Sequence, residues 1–222
     1  MAATSTLSVV VARRDEAATR QRVIDAAVAC ILEQGFYRAS SNEIARRAEV
    51  TWGVIQHYFG TREKLMLAVL QDGAQHFADL VATAEIDADT VGGRIEQLVD
   101  ILVEHYGRPS YLAYVQIQLN LEHDPDTGDD IRATMDDVAR TSTDHVRQLL
   151  RDALGPAAAV NDLATTVFHA IRGLALSQQL QLRTSYDLVA PETDRAKRQR
   201  HLLASALTPH LTELSKQRSP RR

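Results

Sequence analysis

A chain of 222 residues, 45% of them hydrophobic, has the volume for one large or two small cored domains and needs no disulfide or metal to hold it together. Its single cysteine, Cys30, excludes an intramolecular disulfide; no secretion signal is recognisable and no apolar run approaches the ~20 residues that span a bilayer, so a cytoplasmic location without a membrane partner is expected. The net charge of −4 divides unevenly, with nine Lys/Arg against seven Asp/Glu in residues 1–64 and sixteen against twenty-two in residues 65–222, a bias too small to establish a nucleic-acid partner by itself.

Few Gly (10) and Pro (6) and long stretches of 3.6-residue apolar periodicity predict an all-α protein of about nine helices with no strand. Residues 1–19 lack sustained periodicity and read as a mobile arm with Arg13 and Arg14 as its basic pair. The first helix is expected at 20–34, with Val23, Ala26, Ala27, Cys30 and Ile31 on one face and Gly35 as its cap. Ser40-Ser41-Asn42-Glu43 has the form of a capping box and opens a short helix at 41–48, whose Ile44, Ala45 and Ala48 face a neighbouring helix. The turn Glu49-Val50-Thr51 follows, with Val50 plugged into the core and Thr51 capping a third helix at 52–58. If Ile55 points inward, a turn of about 100° per residue carries Phe59 inward too, sends Gly53, Gln56 and His57 outward and leaves Val54 on the flank. A helix this short gains little by itself, so its capping implies presentation to a partner, and a DNA major groove fits helix–tight turn–helix geometry.

A fourth helix, 62–84, is started by Thr61-Arg62-Glu63. Helices at 90–105, 110–122, 128–154, 160–182 and 192–214 follow, separated by Gly107-Arg108-Pro109, Asp124-Pro125-Asp126, Gly155-Pro156 and Ala190-Pro191. The chain thus reads as an arm (1–19), a helix-turn-helix DNA-binding domain (20–60), a helical ligand-binding and dimerisation domain (61–214) and a loose basic tail (215–222). In the acidic helical part, Tyr111, Tyr114, Gln118 and Asn120 are polar groups among apolar neighbours and candidate ligand lining; the alternative is satisfied core tyrosines and solvated amides. The last two helices carry apolar faces, Val167, Ala170, Ile171 and Leu174 on one and Leu202, Leu203 and Ala206 on the other, with Gly173 permitting close approach. A second copy would close these into a four-helix bundle; the alternative is a monomeric core. No two of the histidines outside the third helix fall at i, i+3 or i, i+4, and no nucleophile elbow or phosphate loop occurs, so no metal, cofactor or enzymatic activity is expected.

From Arg20 to about Leu70, the run GFYRASSNEIARRAEVTWGVIQHYFGTREKL resembles the DNA-binding domain of the tetracycline-repressor (TetR) family, through the spacing of Gly35, Ile44-Ala45, Thr51, Gly53, Ile55, Phe59 and Leu65. The resemblance implies a three-helix DNA-binding domain followed by a helical bundle that binds ligand and dimerises. It also implies a homodimer on pseudopalindromic double-stranded operator DNA, and repression relieved by an unidentified small-molecule effector. By position, Ser41, Asn42, Trp52, Gly53 and Val54 would face base edges or nearby backbone, and Gln56, Tyr58 and Arg62 would touch phosphates, with His57 exposed beside them.

Two residues depart from the family pattern. Glu49 stands where the turn usually has Gly, so either the turn relaxes or Glu49 is mildly strained; Gln56 replaces a usual Tyr, and its amide suits adenine as well as phosphate. Trp52 and Tyr58 as core residues, and Arg62 as a cover for the fourth helix, are the competing structural readings. At the level of function the alternatives are a DNA-binding regulator without a small-molecule ligand and a helical small-molecule-binding protein.

Overall fold

The computed structural model describes residues 2–155, 162–181 and 194–216. The described residues are helical or in turns, with no strand among them: α1 (Ala2–Gln34), a 3-10 turn (Phe36–Arg38), α2 (Ser41–Arg47), α3 (Trp52–Phe59), α4 (Arg62–Ala82), α5 (Val91–Tyr106), α6 (Pro109–His123), α7 (Asp129–Leu154), α8 (Asp162–Gln181) and α9 (Arg195–Lys216). An all-α chain is thus what its periodicity demands. The turn at Ala190-Pro191, the expected helix starts at 160 and 192, and the tail beyond Lys216 lie outside the described residues.

One boundary is corrected. α1 begins at Ala2 rather than near residue 20, so the stretch read as an arm is helical. Between Ala2 and Gln34 there is neither Gly nor Pro, and Ala, Arg, Glu and Gln extend a helix without needing a buried face. Apolar periodicity, the signal used to place the start, detects burial and not helicity.

The chain divides into two compact units, Met1–Gly73 with Ala113–Val138, and Ala74–Leu112 with Ala139–Arg222. The first takes in more than the segment 20–60, because its core draws on the opening half of α4 and on parts of α6 and α7. Val23, Ile24, Ala27, Cys30 and Ile31 of α1 meet Ile44 and Ala45 of α2, Ile55 and Phe59 of α3, and Leu65 to Leu70 of α4; Ala113, Ile117 and Leu121 of α6 and Ile131 and Met135 of α7 complete the cluster. Ile44 and Ile55 are each wholly excluded from solvent, a burial worth roughly 1.5–3 kcal/mol apiece. The Cys30 thiol sits in this core, and burial pushes its pKa up.

In the second unit α5 packs against α8 and α9, and α8 against α9. Thr90 caps α5 through its hydroxyl to the Gly93 N–H. Arg94 then fastens the helix start, donating from Nε to the Ala153 carbonyl at 2.9 Å and from Nη1 to the Ala88 carbonyl at 3.0 Å. No described helix is long and apolar enough to cross a membrane.

The turn between α2 and α3 resolves the question posed by Glu49. Its φ is 55°, so this exposed non-glycine residue occupies the left-handed region and the turn has not relaxed. Glu49→Gly is expected to raise stability by about 1 kcal/mol, read as a higher urea midpoint at unchanged slope. A lower midpoint would mean that the glutamate side chain stabilises the turn by more than its backbone strain costs.

Candidate functional site

α2 and α3 are both held at their first turns by a hydroxyl cap. Ser40 Oγ accepts from the Glu43 N–H at 3.3 Å, and Thr51 Oγ1 accepts from the Val54 N–H at 3.4 Å. The capping box is only half formed. The Ser40 N–H donates to the Arg38 carbonyl at 2.8 Å, and the Glu43 carboxylate turns instead to Arg46, at 2.8 and 2.9 Å, and to Arg47, at 2.7 Å. Arg47 also pairs with Glu33 of α1 at 2.6 Å, so Glu43, Arg47 and Glu33 link α2 to α1. The hydrogen bonds from Arg46 and Arg47 hold the Glu43 carboxyl at about 2, well below its ordinary 4.5.

On α3, Ile55 and Phe59 are buried, and the opposite side leaves Gly53, Gln56 and His57 exposed. Val54 is half-buried on the flank. Asn42 is exposed and Ser41 half-exposed on the first turn of α2. Trp52 and Tyr58 are each half-buried and pack against the first unit's core, so part of each ring is structural and part stays open; the Tyr58 ring meets His57 edge-on at 5.3 Å. Gly53 has helical φ, and a Cβ built there would meet only Thr51 Oγ1, at 3.7 Å. The fold therefore does not require a glycine at this exposed position, whereas close approach by another molecule would.

Arg62, placed by the resemblance at a phosphate-contacting position, is engaged within the fold. Its Nη2 donates to the Phe36 carbonyl at 2.6 Å, its Nε donates to the Ala39 carbonyl at 3.3 Å, and its guanidinium lies 4.4 Å above the Phe36 ring. Half-burial draws its pKa down, and the side chain works as a clamp from α4 onto the α1–α2 connection. The sequence reading missed the segment it clamps. Tyr37 is 83% exposed and Arg38 is exposed, immediately ahead of α2; an aromatic followed by a cation just before the cap was the available signal.

In the second unit, aromatic and polar side chains gather around Phe77 of α4. His105 of α5 stacks on its ring at 4.1 Å, Tyr106 of the same helix lies at 6.1 Å, and His145 of α7 lies at 6.0 Å. Tyr111 touches His105 and Tyr106 edge-on at 5.6 and 4.8 Å, and Phe168 of α8 adds a ring 5.7 Å from Tyr106. The Arg172 guanidinium lies 5.8 Å from the Tyr106 ring and 5.6 Å from the Tyr111 ring. Desolvation pulls the His105 imidazole down to about 4, so it is neutral at physiological pH, and pushes the Tyr106 and Tyr111 hydroxyls up. A separate cleft of about 610 Å³ runs between α5 and α9, with Glu96, Asp100, Glu104, Lys197 and His201 around Val99, Val103 and Ala204.

Tyr111 belongs to this aromatic cluster, whereas Tyr114, Gln118 and Asn120 belong to the first unit. There Tyr114 packs on the core beside Gly73, where a Cβ would lie 2.6 Å from the tyrosine ring. Gln118 is exposed, and the half-buried Asn120 donates to the Gln116 carbonyl of its own helix at 2.7 Å. The dimer candidates divide as well. Val167 and Ile171 are fully buried inside the second unit and present no surface to another chain. Leu174 and Leu203 are half-buried, while Ala170, Gly173, Leu202 and Ala206 are exposed, Leu202 at 65%, and a Cβ at Gly173 would meet nothing within 4 Å.

Residues 23–69 match the family described as bacterial regulatory proteins, tetR family. The chain is 32% identical over 94 residues to the HTH-type transcriptional repressor SCO4008 of Streptomyces coelicolor, covering 42% of this chain and 47% of that protein. It is 39% identical over 62 residues to the HTH-type transcriptional regulator BetI of Serratia proteamaculans, covering 28% and 31%. The alignments thus span less than half the length of these curated relatives. Among solved structures, a TetR-family member (SCO1917) from Streptomyces coelicolor aligns over 88% of this chain and 97% of its own, with a TM-score of 0.59 and 24% identity. The multidrug binding protein EbrR complexed with imidazole aligns over 88% and 93%, with a TM-score of 0.55 and 24% identity. At that identity the structures establish a shared helical fold.

Two stability measurements probe this site without DNA. Gly53→Ala is expected to raise stability by roughly 0.5–1 kcal/mol in urea unfolding, since alanine favours the helix and finds room; a loss would reveal crowding at that face. The Glu43 carboxyl titrates lower in the folded chain than unfolded, so its contribution is present above about 4.5 and lost as pH falls toward about 2. Wild-type stability should therefore fall more steeply than that of Glu43→Gln across that window, and parallel curves would show that the ion pairs are too solvent-screened to matter.

Proposed function

From the match of residues 23–69 to the family of bacterial regulatory proteins, tetR family, we propose that this chain is a tetR-family, ligand-responsive transcription regulator, acting as a repressor. On this reading a homodimer grips a pseudopalindromic operator in double-stranded DNA and is released by a small molecule. The observation that carries the proposal is the two-sidedness of α3, with Ile55 and Phe59 buried, and Gly53, Gln56 and His57 exposed on a helix pinned at its start by Thr51. A rigid helix offering a glycine, an amide and an imidazole to solvent has the chemistry for reading base edges in a major groove.

Roles follow from exposure. Gln56 reads an adenine edge or a phosphate through its amide, His57 lies beside it, and Gly53 lets the backbone come close. Asn42 and Ser41 address the flanking strand from α2, and the open edges of Trp52, Val54 and Tyr58 complete the contact. Tyr37 and Arg38 join as exposed neighbours of α2. The Arg62 clamp positions α2 and α3 and does not touch DNA.

Dimerisation is assigned to the exposed residues of α8 and α9, Ala170, Gly173, Leu202 and Ala206, which a twofold partner would cover. Release requires an effector that binds the DNA-incompetent arrangement more tightly, since equal affinity for both states shifts nothing.

The test is binding of the purified chain to the DNA upstream of its own gene and to a scrambled duplex, across salt concentrations. Selective binding should weaken about tenfold or more in Gln56→Ala and His57→Ala while weak non-selective binding persists. Equal affinity for both duplexes, or unchanged selectivity in both variants, would contradict the reading. Leu202→Glu should convert the dimer to monomer in sedimentation analysis; a monomeric wild type would remove α8 and α9 from the account.

A further inference from the structure

We propose that the aromatic cluster of the second unit is a site for an aromatic carboxylate, with the anion held by Arg172 and the ring plane held among Phe77, Tyr106, Tyr111 and Phe168. This rests on the reading of the chain as an effector-controlled regulator and names the chemical class of the effector.

The first support is a set of polar atoms without partners. His105 Nδ1, His145 Nδ1 and Arg172 Nε are each sealed from solvent and make no hydrogen bond. All three belong to one chain of contacts: Phe77 touches both histidines, His105 touches Tyr111, and Arg172 lies over Tyr111 and Tyr106. A buried donor left unpaired costs on the order of 1–3 kcal/mol, and more when charged, so several orphans in one cluster point to a guest that satisfies them.

The second support is charge. Among the described residues no carboxylate lies within ion-pair distance of Arg172. The Tyr111 side chain is hydrogen-bonded to Arg172, and the other groups facing the guanidinium are the Tyr106 ring and a neutral histidine, so among the described residues it has no counter-ion. Its planar fork matches a carboxylate with two parallel N–H···O bonds. A planar cation set among rings suits a small planar anion rather than a phosphate ester, which would call for further donors. The His105 and His145 nitrogens, which serve as donor or acceptor according to tautomer, are placed for a second polar group on the same ligand. The α5–α9 cleft has the opposite character, its Glu96, Asp100 and Glu104 favouring a cation, and so supplies the rival outcome.

The experiment is calorimetric titration of the full chain with benzoate, 2-naphthoate and indole-3-acetate, each against its neutral amide, and with 2-naphthylmethylamine as the cationic probe. At least one carboxylate should bind wild type about tenfold more tightly than its amide, a difference of the size expected for a charge-assisted bond. That preference should vanish in Arg172→Gln and shrink in Arg172→Lys, whose ammonium lacks the fork, while Glu104→Gln leaves it unchanged. If Arg172→Gln loses its helical circular dichroism, Arg172→Lys carries the comparison alone. No carboxylate preference in wild type, a preference that survives both Arg172 variants, or tighter binding of the amine would overturn the assignment. Operator binding measured on the same preparations separates the two claims: intact operator selectivity without carboxylate preference sinks this inference alone. Carboxylate preference without any operator selectivity sinks the regulatory reading and leaves the binding site standing.

Discussion

The burial of Ile55 and Phe59 is the constraint on which the rest depends. Both side chains belong to the core built by α1, α2 and α4, and once they are inward the helical repeat leaves no freedom in what faces out. Gly53, Gln56 and His57 are exposed because Ile55 is not. An eight-residue helix has no stability of its own to set its rotation, so this packing, with the Thr51 cap, turns a sequence pattern into a presented surface.

The frame around that helix is tightened by contacts that composition alone would assign to solvent. Arg62 reaches from α4 to two main-chain carbonyls and an aromatic face, and Glu43 draws both Arg46 and Arg47 to itself while Arg47 reaches α1. Such charges do more for geometry than for stability, because most remain partly exposed and are screened. Glu49 and Gly53 run the other way, one in left-handed backbone and the other a glycine in an exposed helix, each at some cost to folding. Local departures from the best-folding residue at the edge of a presented helix are what a surface selected for contact, rather than for stability, would carry.

Much of this was legible beforehand for reasons that can be named. Caps, glycine stops and apolar spacing are local, so the helices and the inward and outward faces of α3 follow from short stretches read in isolation. What escaped depends on partners distant in sequence. The Arg62 contacts to the Phe36 and Ala39 carbonyls join residues far apart in the chain, and the second half of the capping box fails because Glu43 meets two arginines on its own helix. On α6, Tyr111 lies under Arg172 of α8, a partner distant in sequence. The cluster of Phe77, His105, His145 and Arg172 joins four helices, and no spacing along the chain announces it. The arm escaped for the converse reason, since helix propensity without an apolar face leaves no periodic mark.

The account's central claim, that α3 is a reading helix delivered twice by a symmetric dimer, is tested most directly by a hydroxyl-radical footprint on DNA selected by the full chain. The account predicts two protected half-sites of inverted sequence, centred one duplex turn apart, about 34 Å, or a multiple of it. Uniform protection without a repeat, or a single unpaired half-site, would contradict it.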